Sequence, residues 1–249
     1  MTLPVLVIDV GATWIKSARV DSDGVIRKLR KRPTRYPCSP ASLLTSLELI
    51  MAAGEDWGDL AVGFPGDLVE GVVVDAANLT RAAGPGSPVD SELRELWTSF
   101  PLARALREKC TGRVVVSNDA EMAARGCALG TGVEVTITLG SGCGVALVIE
   151  GQVTPIDDVG GTLFDEQRTF DEAVGERARR QDETSWHSDV VVAIARIAQR
   201  WPQAAVHLCG GNAKRLSPTQ LKETSSIITI ERGEPALKGG FMMLTGLSA

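Results

Sequence analysis

Hydrophobic and polar positions along this chain change period several times. Leu6–Ile26 (LVIDVGATWIKSARVDSDGVI) reads as an apolar run, a tight turn containing Gly11, and a second run in which apolar and polar residues alternate. Val135–Val153 (VTITLGSGCGVALVIEGQV) repeats the design: Gly140 aligns with Gly11, and no gap is needed through Val20 and Ile149. Asp21–Gly24 and Glu150–Gly151 then supply a further turn into a third strand. Two β-meanders this similar predict a duplicated architecture with a cleft between the copies.

Between and after the meanders the period becomes helical. Ala41–Ala53 (ASLLTSLELIMAA) carries apolar residues at helical spacing and stops at Gly54. Leu60–Phe64 is a short apolar strand closed by Pro65–Gly66, and Val72–Val74 forms another. Arg113–Val116 predicts a strand running directly into a helix that begins near Asn118. His187–Arg200 has a strong helical stripe stopped by Pro202, and Ala204–Leu208 is a buried strand ending in Gly210–Gly211. Strands alternating with helices in both halves give an α/β fold with two lobes. The first lobe is expected over residues 1–117, completed by a C-terminal helix at about 236–249, and the second over 118–235.

With 249 residues, 44% of them hydrophobic and 23% charged, the chain has material for a real core. No apolar run approaches the ~20 residues that span a bilayer, and no charged-then-apolar leader precedes the first strand, so a cytoplasmic address is expected. A net charge of −5 argues against nucleic acid as a bulk partner. Cys38, Cys110, Cys127, Cys143 and Cys209 form no CxC or CxxC pair, and His187 and His207 lie near none of them in sequence. The cysteines therefore read as small apolar packing residues, with no zinc site.

The chemistry concentrates in the two turns and in one helix start. Glycine lets backbone N–H groups approach an anion without interference from Cβ. Asp9, Gly11 and Thr13 supply a carboxylate, a tight turn and a hydroxyl; Gly140, Ser141, Gly142 and Gly144 offer the same kind of cradle. A single such hairpin needs glycine anyway, but two at matched positions point to phosphate. Neither has the spacing of a P-loop or of a dinucleotide fold. Asp119 follows the strand Val114–Val116 and opens the helix DAEMAARGCALG. Asn118 as N-cap, with Glu121 three residues on, explains the local sequence as helix chemistry. A carboxylate at the C-terminal end of a strand is equally placed to take a proton from an attacking hydroxyl.

DVGAT at residues 9–13, GFPG at 63–66, Asn118–Asp119, LGSGCG at 139–144 and CGGNA at 209–213 occur in the order of the ROK sugar kinases, and the resemblance covers essentially the full length. The chain resembles the short, zinc-free members that include the polyphosphate glucokinases, within the sugar kinase, Hsp70 and actin superfamily. The resemblance implies two ribonuclease-H-like lobes around a central cleft. It implies Asp119 as catalytic base, and Asn118, Asn78 and Gly66 at the acceptor with Gly142, Asp158 and Gly161. Nucleotide phosphates would lie at Asp9, Gly11, Ala12, Thr13, Lys16, Gly140, Ser141 and Gly142, and the nucleoside at Gly210 and Gly211. ATP is the implied donor, with polyphosphate as its alternative; Mg²⁺ would be held at Asp9, directly or through water, and a homodimer is implied.

The pattern breaks after the second meander. Related sugar kinases carry an ExGH motif whose Glu and His grip acceptor hydroxyls, whereas this chain has Asp158-Val159-Gly160-Gly161, with glycine in the histidine's place. TFDEAVG at Thr169–Gly175 still resembles the family's next segment. Sites that lose a hydrogen-bonding partner change their discrimination, so the expected acceptor is a modified hexose, carbasugar or cyclitol. The alternatives are an ordinary ATP- or polyphosphate-dependent glucokinase and a non-catalytic sugar-sensing regulator; the latter is disfavoured by a first strand at the very start and by Asp119. The basic run Arg27–Arg35 reads as a solvated strand rim, with a hold on a polyphosphate chain as its alternative, and Trp14, Trp97, Trp186 and Trp201 read as packing anchors.

Overall fold

The computed structural model describes residues 3–54, 56–217, 219, 221 and 228–246. The chain divides into two compact units, one made of the residues up to Met122 together with those from Ala236, the other of Ala123–Pro235.

In the first unit a meander of β1 (Val5–Val10), β2 (Trp14–Val20) and β3 (Ile26–Pro33) is followed by helix α1 (Pro40–Met51) and strand β4 (Leu60–Phe64). A small ribbon, β5 (Asp67–Val69) with β6 (Val72–Asp75), precedes helices α2 (Ser91–Trp97) and α3 (Leu102–Arg107); strand β7 (Val114–Asn118) then runs into helix α4 (Asp119–Cys127). The sheet order is β3-β2-β1-β4-β7, antiparallel within the meander and parallel from β1 onward. Successive strand residues point to opposite faces, and here both faces are apolar. Leu6, Ile8 and Val62 pack with Leu43 and Leu47 of α1, Trp97 of α2 and Leu102 and Leu106 of α3, while Val5, Val7, Ala18 and Ala61 face the other way. Ser39 caps α1 by accepting from the Ser42 amide at 3.2 Å, and Pro40 occupies the first turn, where no N–H is missed.

The second unit repeats the plan. β8 (Val133–Leu139), β9 (Cys143–Ile149) and β10 (Gln152–Thr154) form its meander. After helices α5 (Phe170–Val174), α6 (Glu176–Gln181) and α7 (Glu183–Arg200) come β11 (Ala205–Cys209) and β12 (Ile228–Ile230), in the sheet order β10-β9-β8-β11-β12. Val135, Ile137 and Leu139 of β8 pack against Phe170, Trp186, Val190 and Ile194. The opposite face of β8 is polar: Glu134 and Thr136 are fully buried. α7 begins four residues before the predicted His187, because Asp182 caps it by accepting from Thr184 and Ser185 amides.

A last helix, α8 (Pro235–Thr245), belongs to the first unit, where Leu237, Phe241, Met242 and Leu244 close the face formed by Val5, Val7, Ala18, Val20 and Ala61. Residues 247–249 of the expected terminal helix lie outside the described residues. Each unit is thus an α/β lobe of the ribonuclease-H type, five strands in a mixed sheet beginning with a three-stranded meander. Trp97 and Trp186 are buried and Trp201 packs against the second core, but Trp14 is 43% exposed with the Lys31 ammonium 4.2 Å above its ring. Trp14 is a surface residue because it stands at the start of β2, on the rim beside the exposed cationic β3. Among the described residues no helix is long and apolar enough to cross a membrane, and no three His, Cys, Asp or Glu side chains gather as a metal site.

Candidate active site

In the first unit, β1, β4 and β7 are parallel neighbours with Asp9 opposite Gly63 and Gly63 opposite Ser117. The segments that follow them, Gly11–Thr13, Pro65–Gly66 and Asp119, therefore emerge on one edge, the C-terminal edge where α/β sites assemble. The first turn is clamped from one side. Thr34 Oγ1 donates to the Gly11 carbonyl at 2.6 Å, Tyr36 OH to that of Ala12 at 2.7 Å, and the Thr34 amide to that of Thr13 at 3.0 Å. In a trans peptide the N–H points opposite to the preceding C=O, so the Ala12 and Thr13 amides face away from these clamps. Two adjacent amides aimed one way suit an anion. Asp9 stands opposite Lys16 in the β1–β2 register, which places a carboxylate and an ammonium on one face beside the turn.

At the start of α4, Asn118 Oδ1 accepts from the amides of Ala120 (2.8 Å) and Glu121 (3.1 Å), and its Nδ2 donates to the Gly66 carbonyl at 3.1 Å. Asn118 is thus both the helix cap and the tie to the β4 turn. Asp119 Oδ1 also accepts from the Ala120 amide, at 2.8 Å. Glu121 does not reach back to a backbone N–H; it accepts from Ser117 Oγ at 3.0 Å. Gly63 has no room for a side chain, which would strike Met122 and lie 3.4 Å from the Asp119 Cα, so the glycine lets β4 press against this helix start. Asn78 lies half-buried in the turn Ala77–Thr80, next to Ala77, which holds a φ of 40°. That left-handed backbone is strained for a residue with a side chain.

In the second unit, the hairpin between β8 and β9 is held in the same manner. The Leu139 carbonyl accepts from the Asn212 amide at 3.0 Å, and that of Gly140 from the Glu176 amide at 2.9 Å and Asn212 Nδ2 at 3.1 Å. The Ser141 amide accordingly points away from α6 and Asn212. Hydrogen bonding from Arg179, then Arg180, holds the Glu176 carboxyl down at about 2. Among the predicted donor-site glycines, Gly140, Gly142, Gly210 and Gly211 are not equivalent. Side chains at Gly140 and Gly211 would meet nothing within 4 Å, so neither packing nor backbone conformation requires glycine there. At Gly210, with φ 92°, a side chain would collide with the Leu139 carbonyl. At Gly142 the space is filled by the carboxylate of Asp171, whose Oδ1 accepts from the Cys143 amide at 2.6 Å.

Asp158 turns its carboxylate onto its own loop, accepting from the Gly160 amide at 2.9 Å and the Gly161 amide at 2.9 Å. A side chain at Gly161 would meet only the far end of Asp158, 2.6 Å from its Oδ2. Burial, reinforced by the charges of Asp171 and Asp158, pushes the Cys143 thiol well above its ordinary range; burial likewise raises Cys38 to about 12. These thiols are packing groups, not nucleophiles. Thr34, Tyr36, Glu176, Asn212 and Asp171 escaped the sequence reading. The last two stand in CGGNA and TFDEAVG, segments already singled out, so only their partners were hidden.

Solved structures share this architecture. The inorganic polyphosphate/ATP-glucomannokinase from Arthrobacter sp. strain KM is 23% identical, with a TM-score of 0.80 over 98% of this chain and 99% of that one. A ROK family glucokinase from Streptomyces griseus, in complex with glucose and AMPPNP, is 16% identical, with a TM-score of 0.72 over 96% and 98%. A ROK family transcriptional regulator, a homologue of the E. coli MLC protein, is 17% identical, with a TM-score of 0.68 over 98% of this chain and 78% of that one. No curated protein sequence matches significantly. The model of the ROK family matches residues 5–155, more than half of the sequence, and the chain belongs to that family.

Proposed function

We propose that this protein is a kinase that transfers the terminal phosphoryl group of ATP to a primary hydroxyl of a sugar-like acceptor, with Asp119 as general base. The observation that carries the reading is the start of α4, where Asn118 serves as the cap and Asp119 stands at the helix N-terminus on the sheet's C-terminal edge. The helix dipole favours an ionised carboxylate there, and that carboxylate takes the proton as the acceptor oxygen attacks phosphorus. Asn118 and Asn78 would hold hydroxyls of the acceptor. The outward amides of Ala12, Thr13 and Ser141 suit donor phosphates, and the open space at Gly140 and Gly211 suits close approach of the nucleotide. Asp9, beside the first turn, fits Mg²⁺, which would neutralise phosphoryl charge. No covalent enzyme intermediate is needed, so alignment and charge neutralisation supply the rate.

The test is incubation with ATP or polyphosphate and Mg²⁺ across glucose, other hexoses, carbasugars and cyclitols, read by mass spectrometry. A phosphorylated product from ATP supports the proposal; product from polyphosphate alone makes that the donor. Sugar binding without any product would favour a regulator, as the structural likeness to one keeps in view.

Two variants sharpen the reading. Gly211→Ala adds a methyl group to empty space, so melting should be unchanged while the KM for nucleotide rises severalfold. An unchanged KM would move the nucleoside elsewhere. The acceptor is proposed to be a modified hexose, carbasugar or cyclitol that differs from glucose on the side facing Asp158–Gly161, since Asp158 is engaged with its own loop and Gly161 has no side chain with which to hold a hydroxyl. A missing polar partner costs ~1–3 kcal/mol, so glucose should be poorer than such an analogue by one to two orders of magnitude in kcat/KM. Gly161→His should narrow that gap. If glucose is the best acceptor by a wide margin in the native protein, this is a plain glucokinase.

A further inference from the structure

The carboxylate of Asp171, on α5, reaches into the second hairpin, and the reaction sketched above does not use it. Its Oδ1 accepts from the Cys143 amide at 2.6 Å, inside the turn. Its own amide donates to the Gly160 carbonyl at 2.9 Å, and its carbonyl accepts from the Gly175 amide at 3.0 Å. Two glycines make way for the carboxylate: a side chain at Gly142 would collide with it, and one at Gly160 would lie 2.7 Å from Oδ1. Asp171 sits in the first turn of α5, where Thr169 and Glu172 form a capping box that fixes the helix start. One residue on a fixed helix thus grips the hairpin by its side chain and the Asp158–Gly161 turn by its backbone.

We propose that Asp171 is a positioning residue that sets the phosphate-binding hairpin Gly140–Gly144 against α5 and the Asp158–Gly161 turn. The proposal rests on the reading of that hairpin as the donor grip, and it adds a residue that acts through the hairpin without touching substrate. A carboxylate is an unwelcome neighbour for a phosphate, so its presence there needs a mechanical reason. A charge-assisted bond to a backbone amide is such a reason, being about twice as strong as a neutral one.

The experiment combines hydrogen exchange with steady-state kinetics in the full chain. In Asp171→Ala, exchange should rise at amides 141–144, while amide 171 and α5 stay protected, because the backbone leg from that amide to the Gly160 carbonyl survives. The KM for nucleotide should rise about tenfold with a smaller change in acceptor KM, since misplacing a binding group by about an ångström has effects up to ~10²-fold. Asp171→Asn keeps an acceptor oxygen and should restore both readouts to within a few-fold of native. Gly142→Ala should reproduce the effect by displacing the carboxylate, and in the Asp171→Ala background it should add little. Unchanged exchange at 141–144 in Asp171→Ala, an Asn variant as impaired as the Ala variant, or additive effects of the two substitutions would each overturn the proposal. If Asp171→Ala does not fold, the Asn and Gly142→Ala variants decide. Should the protein phosphorylate no acceptor, the kinase reading fails while the exchange measurements still judge Asp171.

Discussion

Asp119→Asn is expected to lower turnover by ~10²-fold or more while leaving the fold intact. That loss corresponds to about 2.7 kcal/mol of transition-state stabilisation. The fold should survive because an Asn at this position still offers an oxygen to the Ala120 amide, and because the cap proper is Asn118, which accepts from Ala120 and Glu121. What disappears is the negative oxygen that receives the acceptor's proton. The measurements are kcat with the best acceptor and the melting temperature of the same preparation. A folded variant with near-native turnover would remove Asp119 from the mechanism.

Glu134→Ala is expected to cost the second unit several kcal/mol, since it leaves two backbone amides and a buried imidazole nitrogen without their partner at ~1–3 kcal/mol each. Glu134 is 1% exposed and does three jobs. It accepts from the Leu129 amide at 2.8 Å and the Gly130 amide at 2.9 Å, tying down the segment after α4. It also lies 2.9 Å from His207 Nε2 of β11, whose other ring nitrogen is 2.8 Å from Glu231. Alanine would orphan two amides and leave a buried imidazole with one carboxylate lost. In a chain of this size the melting temperature should fall on the order of 10 °C. A drop below one or two degrees would mean that the network is not formed in solution.

How far the sequence carried depends on whether a signal was local. The paired meanders were legible because period-two alternation around a glycine turn repeats without a gap, and the two five-stranded sheets carry that echo in β1–β3 and β8–β10. Asn118 was legible as a cap from its place before Asp119 and Glu121. The start of α7 was missed because Thr184, Ser185 and the cap Asp182 precede the apolar stripe instead of belonging to it. Gly140 and Gly142 look alike in a string of letters. Only tertiary packing shows one facing open space and the other facing Asp171, 29 residues further on. Thr34 and Tyr36 were invisible for the same reason, since their partners lie in the turn before β2.

The placement of α8 bears on how the chain is made. The ribosome delivers the first unit's sheet before the second unit, yet the strip over Val5, Val7, Ala18, Val20 and Ala61 is closed by Leu237, Phe241, Met242 and Leu244, which emerge after the second unit. At ~5–20 residues per second, the stretch between Met122 and Ala236 imposes a delay on the order of ten seconds. The earlier-born lobe is therefore the later-finished one, with bare apolar strand surface waiting while its successor is synthesised. Burial of a large apolar side chain contributes ~1.5–3 kcal/mol, so that interval leaves several such contributions unrealised. Vectorial synthesis thus leaves the nascent N-terminal lobe with exposed apolar strand surface of the kind that chaperones cover.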